Sequence, residues 1–146
     1  MKMAPDGSGS DKTLNILLVE DDQVDVMNVR RAFAKNRLAK PLYVAANGLE
    51  ALDMLRGGAV PDERRIVLLD LNMPKMNGLE FLRELRADVA LQATPVIVLT
   101  TSNDERDKID AYNLNVAGYL VKPVTFESFV DVMAIVNKYW TLVELP

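Results

Sequence analysis

The stretch Ile66–Phe81, IVLLDLNMPKMNGLEF, runs four apolar residues straight into a carboxylate, Asp70, and then into Asn72, Pro74 and Gly78. A short apolar run bounded by turn residues has the length and composition of a strand buried on both faces, as in a parallel sheet. Ending that run on an acid puts Asp70 at the strand's carboxyl end. Pro74 restrains the loop that follows, and Gly78 permits close or unusual backbone geometry where the next helix begins.

Four further runs have strand character: LNILLV (14–19), PLYVAA (41–46), PVIVL (95–99) and GYLV (118–121). Between and after them the apolar positions fall at helical spacing, as in Val26, Val29 and Phe33, in Leu49, Leu52 and Leu55, in Leu79, Leu82 and Leu85, and in Phe126, Phe129, Val130, Met133 and Val136. Five strand-then-helix units predict an α/β domain, because parallel neighbours need right-handed helical crossovers that cover both faces of the sheet. The simplest such fold is a five-stranded, doubly wound parallel sheet. Residues 1–12, rich in Gly, Ser, Asp and Pro, read as a flexible tail, and 57–65 as an exposed connecting loop.

Composition narrows the chemistry. The chain of 146 residues is 49% apolar, enough for one core, and its 17 basic and 21 acidic residues leave a net charge of −4 with no dense Lys/Arg run, which argues against direct nucleic-acid binding. It has no cysteine and no histidine, so thiolate sites, disulfides and a histidine base are excluded. No run approaches the roughly 18 apolar residues of a membrane span, and the N-terminus lacks a signal-peptide core, so a cytoplasmic location is expected.

In an open parallel sheet, functional groups collect beyond the carboxyl ends of the strands. There the first strand delivers Glu20, Asp21 and Asp22, the third Asp70, the fourth Thr100, Thr101 and Ser102, and the fifth Lys122 and Pro123. Clustered carboxylates repel unless a cation or proton lies between them, and with oxygen ligands alone a hard ion such as Mg²⁺ fits. A carboxylate beside Mg²⁺, with an ammonium and a hydroxyl converging on it, is equipped to accept a phosphoryl group. Asp70 is the candidate nucleophile. Taken singly, each residue has an ordinary structural reading: Asp21 or Asp22 can cap a helix, Thr100 can end a strand, and Lys122 can be solvated surface.

The motifs ILLVEDD (16–22), NGLEAL (47–52), LLDLNMPKMNG (68–78), PVIVLTTS (95–102) and GYLVKP (118–123), in this order, resemble the receiver domain of two-component response regulators from Leu14 to about Lys138. The resemblance implies a flavodoxin-like (βα)5 fold with strand order 2-1-3-4-5 over residues 13–138, phosphorylation of Asp70 by a sensor histidine kinase, and Mg²⁺ as cofactor. It implies Asp21 and Asp70 as direct metal ligands, Glu20 acting through water and Asn72 through its backbone carbonyl. Thr100 and Lys122 would bind the phosphoryl group, Tyr119 would change rotamer as Thr100 moves, and the Lys122–Pro123 bond would be cis. Such a domain would assist its own phosphorylation and dephosphorylation without being a metabolic enzyme. Thr101, bulkier than the family's usual small residue, would alter access of water to the acyl phosphate.

No output domain is expected after the receiver. The segment 139–146 resembles the ending of receivers that partner bacterial phytochrome histidine kinases (bacteriophytochromes), which implies a homodimer with contacts from Tyr139, Trp140, Leu142 and Val143. Those residues can equally pack back on their own domain. Other α/β functions fit less well. EDDQVD after the first strand would repel a flavin phosphate and lacks a dinucleotide-binding glycine fingerprint, and Asn72 stands where a haloacid dehalogenase would carry its second aspartate. A phosphorylation-independent interaction module of receiver fold is the remaining alternative; such a module would typically have lost Asp70, Lys122 or the acidic pair, all of which are present.

Overall fold

In a computed structural model, residues 14–36, 41–143 and 145 are described; the tail expected over 1–12 lies outside them. The elements alternate as β1 (Asn15–Val19), α1 (Gln23–Lys35), β2 (Leu42–Ala45), α2 (Gly48–Arg56), β3 (Arg65–Leu69), α3 (Gly78–Ala87), β4 (Val96–Thr100), α4 (Glu105–Asn113), β5 (Gly118–Val121) and α5 (Phe126–Leu142). All neighbouring strands are parallel, in the order β2-β1-β3-β4-β5, so the chain has the α/β flavodoxin-like fold expected.

The strands read as unbroken apolar runs because both faces of the sheet are covered. Leu17, Val19, Val67, Leu69, Val96 and Val98 face one core with Leu52 and Leu55 of α2, Phe81 and Leu85 of α3 and Ala111 of α4. Their alternates Ile16, Leu18, Ile66, Leu68, Ile97 and Leu99 face the other, with Val29 and Phe33 of α1 and Phe129 and Met133 of α5. Each helix start is fixed by a polar cap: Asp22, Asn47, Asn77, Asp104 and Thr125 each accept from backbone N–H groups of the first turn, and Asn77 and Glu80 cap reciprocally.

Two local features refine the sequence reading. The sharp turn after Asp70 places its left-handed backbone at Lys75 (φ 49°) and Met76 (φ 71°) rather than at Gly78. Gly78 serves close approach instead: a Cβ there would lie 2.7 Å from the Asp70 carbonyl oxygen and from the Leu71 Cα. At the other end, α5 continues to Leu142, through the boundary expected at 138. Trp140, a candidate dimer contact, is instead buried in the α1/α5 core of its own domain. Arg64 donates to the carbonyls of Trp140 (2.9 Å) and Val143 (3.4 Å), which fastens the helix end to the start of β3. Burying an indole and neutralising helix-end carbonyls both favour this packing. Tyr139 and Leu142 remain exposed, and among the described residues no helix is long and apolar enough to cross a membrane.

Candidate functional site

The sheet ladder itself delivers the two central acids. The Glu20 N–H donates to the Ala45 carbonyl (2.9 Å) and the Asp70 N–H to the Val19 carbonyl (3.0 Å), so each acid sits one residue beyond its strand with its backbone still held. Glu20 is 2% exposed and Asp70 6%. Together with exposed Asp21 they bring three carboxylate oxygens within 4.8 Å of one another. Asp22, next along, turns away to cap α1.

Lys122 follows β5, and its N–H donates to the Thr100 carbonyl (2.7 Å). Its Nζ reaches Glu20 Oε1 at 2.7 Å, Asp25 Oδ2 at 2.7 Å and Asp70 Oδ2 at 3.9 Å. Asp25, in the first turn of α1, is a partner the sequence reading missed. Its signal was available in EDDQVD, since a carboxylate one helical turn beyond Asp21–Asp22 lies above the same strand end. The Lys122–Pro123 bond is trans, not cis as expected. The preference between the two isomers at an X–Pro bond is small, and the trans chain already brings the ammonium onto its acids.

Three carboxylates, Glu20, Asp25 and Asp70, thus share one ammonium, with exposed Asp21 beside them. Burial, reinforced by the charge of Asp70 and only partly offset by Lys122 and the Asp22 N–H, pushes the Glu20 carboxyl up to about 7. Burial alone would lower the Lys122 ammonium, but hydrogen bonds to Asp25 and Glu20 and the charges of Glu20 and Asp70 hold it above its ordinary value. A site with surplus buried negative charge and only oxygen donors fits a hard divalent cation. The donors that would hold it are Glu20, Asp21 and Asp70. The Asn72 N–H lies 3.4 Å from Asp70 Oδ1, so the backbone that carries the expected carbonyl ligand runs against the same carboxylate.

Thr100 is the last residue of β4 and fully buried. Its hydroxyl oxygen accepts from the Ser102 N–H (3.3 Å), while the half-buried Tyr119 hydroxyl donates to the Ser102 carbonyl (2.9 Å). Ser102 therefore joins the hydroxyl expected to sense the phosphoryl group to the aromatic expected to respond. The sequence reading placed Ser102 at this strand end without seeing that connection, because it runs through main-chain atoms.

The chain is similar to known proteins over most of its length. The family model of the response regulator receiver domain matches residues 16–134. A probable methanogenesis regulatory protein, FilR2 of Methanothrix harundinacea, is 38% identical over 130 residues, covering 86% of this chain and 82% of its own. The crystal structure of the phosphorylated cyanobacterial phytochrome response regulator RcpA superposes with a TM-score of 0.81 at 32% identity, covering 92% of this chain and 99% of that one. The Mn²⁺-bound form of the response regulator Rcp1, a protein of Synechocystis, gives 0.78 at 35% identity, covering 90% and 97%.

Proposed function

The chain belongs to the response regulator receiver domain family, and on that footing we propose that it is a phosphorylation-driven switch whose phosphoacceptor is Asp70. The observation that carries this reading is a nearly buried carboxylate at a central strand end, within 4.8 Å of two further carboxylates and 3.9 Å from an ammonium. A carboxylate oxygen of Asp70 attacks the phosphorus of a phosphohistidine on a sensor histidine kinase. The P–N bond breaks, the imidazole leaves with a proton, and an acyl phosphate forms. The chemistry Mg²⁺ would supply when bound is neutralisation of charge on the phosphoryl oxygens. Asp21, Asp70 and the Asn72 carbonyl would hold the ion, and Glu20 would act through water.

Lys122 and the Thr100 hydroxyl then bind the phosphoryl oxygens. Drawing Thr100 toward them pulls on Ser102 and releases Tyr119, whose hydroxyl hangs on the same residue. The outcome is a population shift toward a changed β4–α4 and β5 surface, since a ligand biases only states that contact it differently. Attack of water on the phosphorus returns the Asp70 carboxylate and phosphate. Similarity to RcpA, described as a phytochrome response regulator, supports a bacteriophytochrome as the cognate kinase, acting in the cytoplasm where that kinase has its ATP. Exposed Tyr139 and Leu142 on α5 support a homodimer contact at that helix end, whereas Val143, also a candidate contact, packs against the α1/α5 core of its own domain.

Intact mass of the protein incubated with acetyl phosphate tests the central claim. A single phosphoryl adduct that requires Mg²⁺ and vanishes in Asp70→Asn is expected; an adduct that persists in that variant, or none in the unaltered chain, overturns it.

A further inference from the structure

Resting on that reading of Asp70, we propose that Asp25 is a positioning residue that competes with the phosphoryl group for the Lys122 ammonium and so sets the fraction of the domain that is phosphorylated. Lys122 Nζ stands 2.7 Å from both Glu20 and Asp25 but 3.9 Å from Asp70, so in the unphosphorylated domain it is drawn away from the acceptor. The two near partners are unequal. The Glu20 side chain is 3% exposed and depends on the ammonium for compensation, whereas that of Asp25 is 32% exposed.

Asp25 can lose the ammonium at little cost. A cavity of about 270 Å³ opens between α1 and the start of α5, lined by Asp25, Asn28, Lys122 and Thr125 among others, and is roomy and polar enough to hydrate a vacated carboxylate. Asp25 also lies in the first turn of α1, where the helix dipole favours a negative charge. Phosphorylation replaces the single charge of the Asp70 carboxylate with up to two on the phosphoryl oxygens, on the side toward which the ammonium must move. Lys122 then keeps Glu20 and exchanges Asp25 for a phosphoryl oxygen. By linkage, whatever the Asp25 contact contributes to the unphosphorylated state it withholds from the phosphorylated one.

The experiment compares the unaltered chain, Asp25→Asn and Asp25→Glu at saturating Mg²⁺ and a limiting concentration of acetyl phosphate, reading the steady-state ratio of phosphorylated to free protein by intact mass. A partly exposed ion pair of this kind predicts a ratio roughly three- to fivefold higher in Asp25→Asn, and restored toward the unaltered value in Asp25→Glu. A purely structural residue would leave the ratio unchanged or lower it, and either result overturns the proposal. Independently of any variant, the carboxyl carbon resonance of Asp25 in the ¹³C-labelled unaltered chain moves on phosphorylation if the ammonium leaves it; a fixed resonance overturns the proposal even where Asp25→Asn does not fold. An unaltered chain that takes up no phosphoryl group instead removes the Asp70 reading, and this inference with it.

Discussion

Two long cations mark opposite ends of the sheet and are used in opposite ways. At the carboxyl edge, Lys122 sits among carboxylates at 2.7, 2.7 and 3.9 Å. At the amino edge, Arg86 of α3 donates to four main-chain carbonyls: Gln92 and Thr94 (both 2.8 Å) in the approach to β4, and Leu114 (2.8 Å) and Asn115 (3.1 Å) in the approach to β5. Carbonyls are uncharged and fixed by the chain, so the planar guanidinium fork acts as a staple with one geometry. Carboxylates in excess offer a single ammonium more than one position, and under the proposed phosphorylation of Asp70 a phosphoryl oxygen would offer another. One edge is built to stay and the other to be rearranged.

Removing each cation should expose that difference. Lys122→Met leaves Glu20 and Asp70 without their ammonium and should cost about 4 kcal/mol at neutral pH, read as a lower denaturation midpoint. Because the loss is electrostatic, millimolar Mg²⁺ should recover much of it. Arg86→Met should cost about 3 kcal/mol through carbonyls left without their donor, with no recovery by Mg²⁺ and an unchanged phosphoryl adduct. Equal rescue of both variants by Mg²⁺ would erase the distinction between the edges.

Gly78→Ala sharpens the comparison by disturbing the carboxyl edge through backbone alone. The new methyl would meet the Asp70 carbonyl oxygen and Leu71 Cα at 2.7 Å, neither of which can turn aside as a side chain would. About 2 kcal/mol of stability should be lost, together with slower adduct formation, since the clash bears on the residue that carries the acceptor. A variant that loses stability but phosphorylates at the normal rate would show that the Asp70 main chain tolerates displacement.

Most of the carboxyl edge was legible in the sequence because strands and acids advertise themselves there. IVLL ends in Asp70 and ILLV in Glu20–Asp21, and the parallel order that brings them together follows from strand–helix alternation. What stayed hidden depends on where long side chains reach or on main-chain acceptors, neither of which has a period. Asp25 looked like any first-turn acid, and Arg86 like any charged residue on an amphipathic helix. Ser102 acts through its N–H and carbonyl. Trp140 beside Tyr139 looked equally suited to an interface and to a core, and the choice was made by α5 running on far enough to bring the indole into the core cluster that holds Phe33 and Met133. The trans Lys122–Pro123 bond had no sequence signal, since a Lys-Pro pair is compatible with either isomer.

The smallest expected effect tests the surplus charge directly. Glu20 is an acid whose carboxyl rises from an ordinary 4.5 to about 7 on folding, so the folded state holds its proton more tightly than the unfolded one. The resulting stability is fully present below the ordinary value and is lost as pH climbs through about 7. In metal-free buffer, the stability of the unaltered chain should therefore fall by about 1 kcal/mol between roughly pH 6 and 8 relative to Glu20→Gln, which has no such group to ionise. A divalent cation acts on the charged form, so saturating Mg²⁺ should flatten this slope, and Mg²⁺ affinity should rise over the same window with release of up to one proton per ion. At the amino edge the Arg86 guanidinium is lowered by burial yet stays charged. The Arg86→Met cost should thus be the same at both pH values, whereas the Lys122→Met cost should shrink toward acid pH as Glu20 takes up its proton. A Lys122→Met penalty independent of pH would mean that its ammonium is held by shape rather than by charge, and that the two edges of the sheet differ less than their partners indicate.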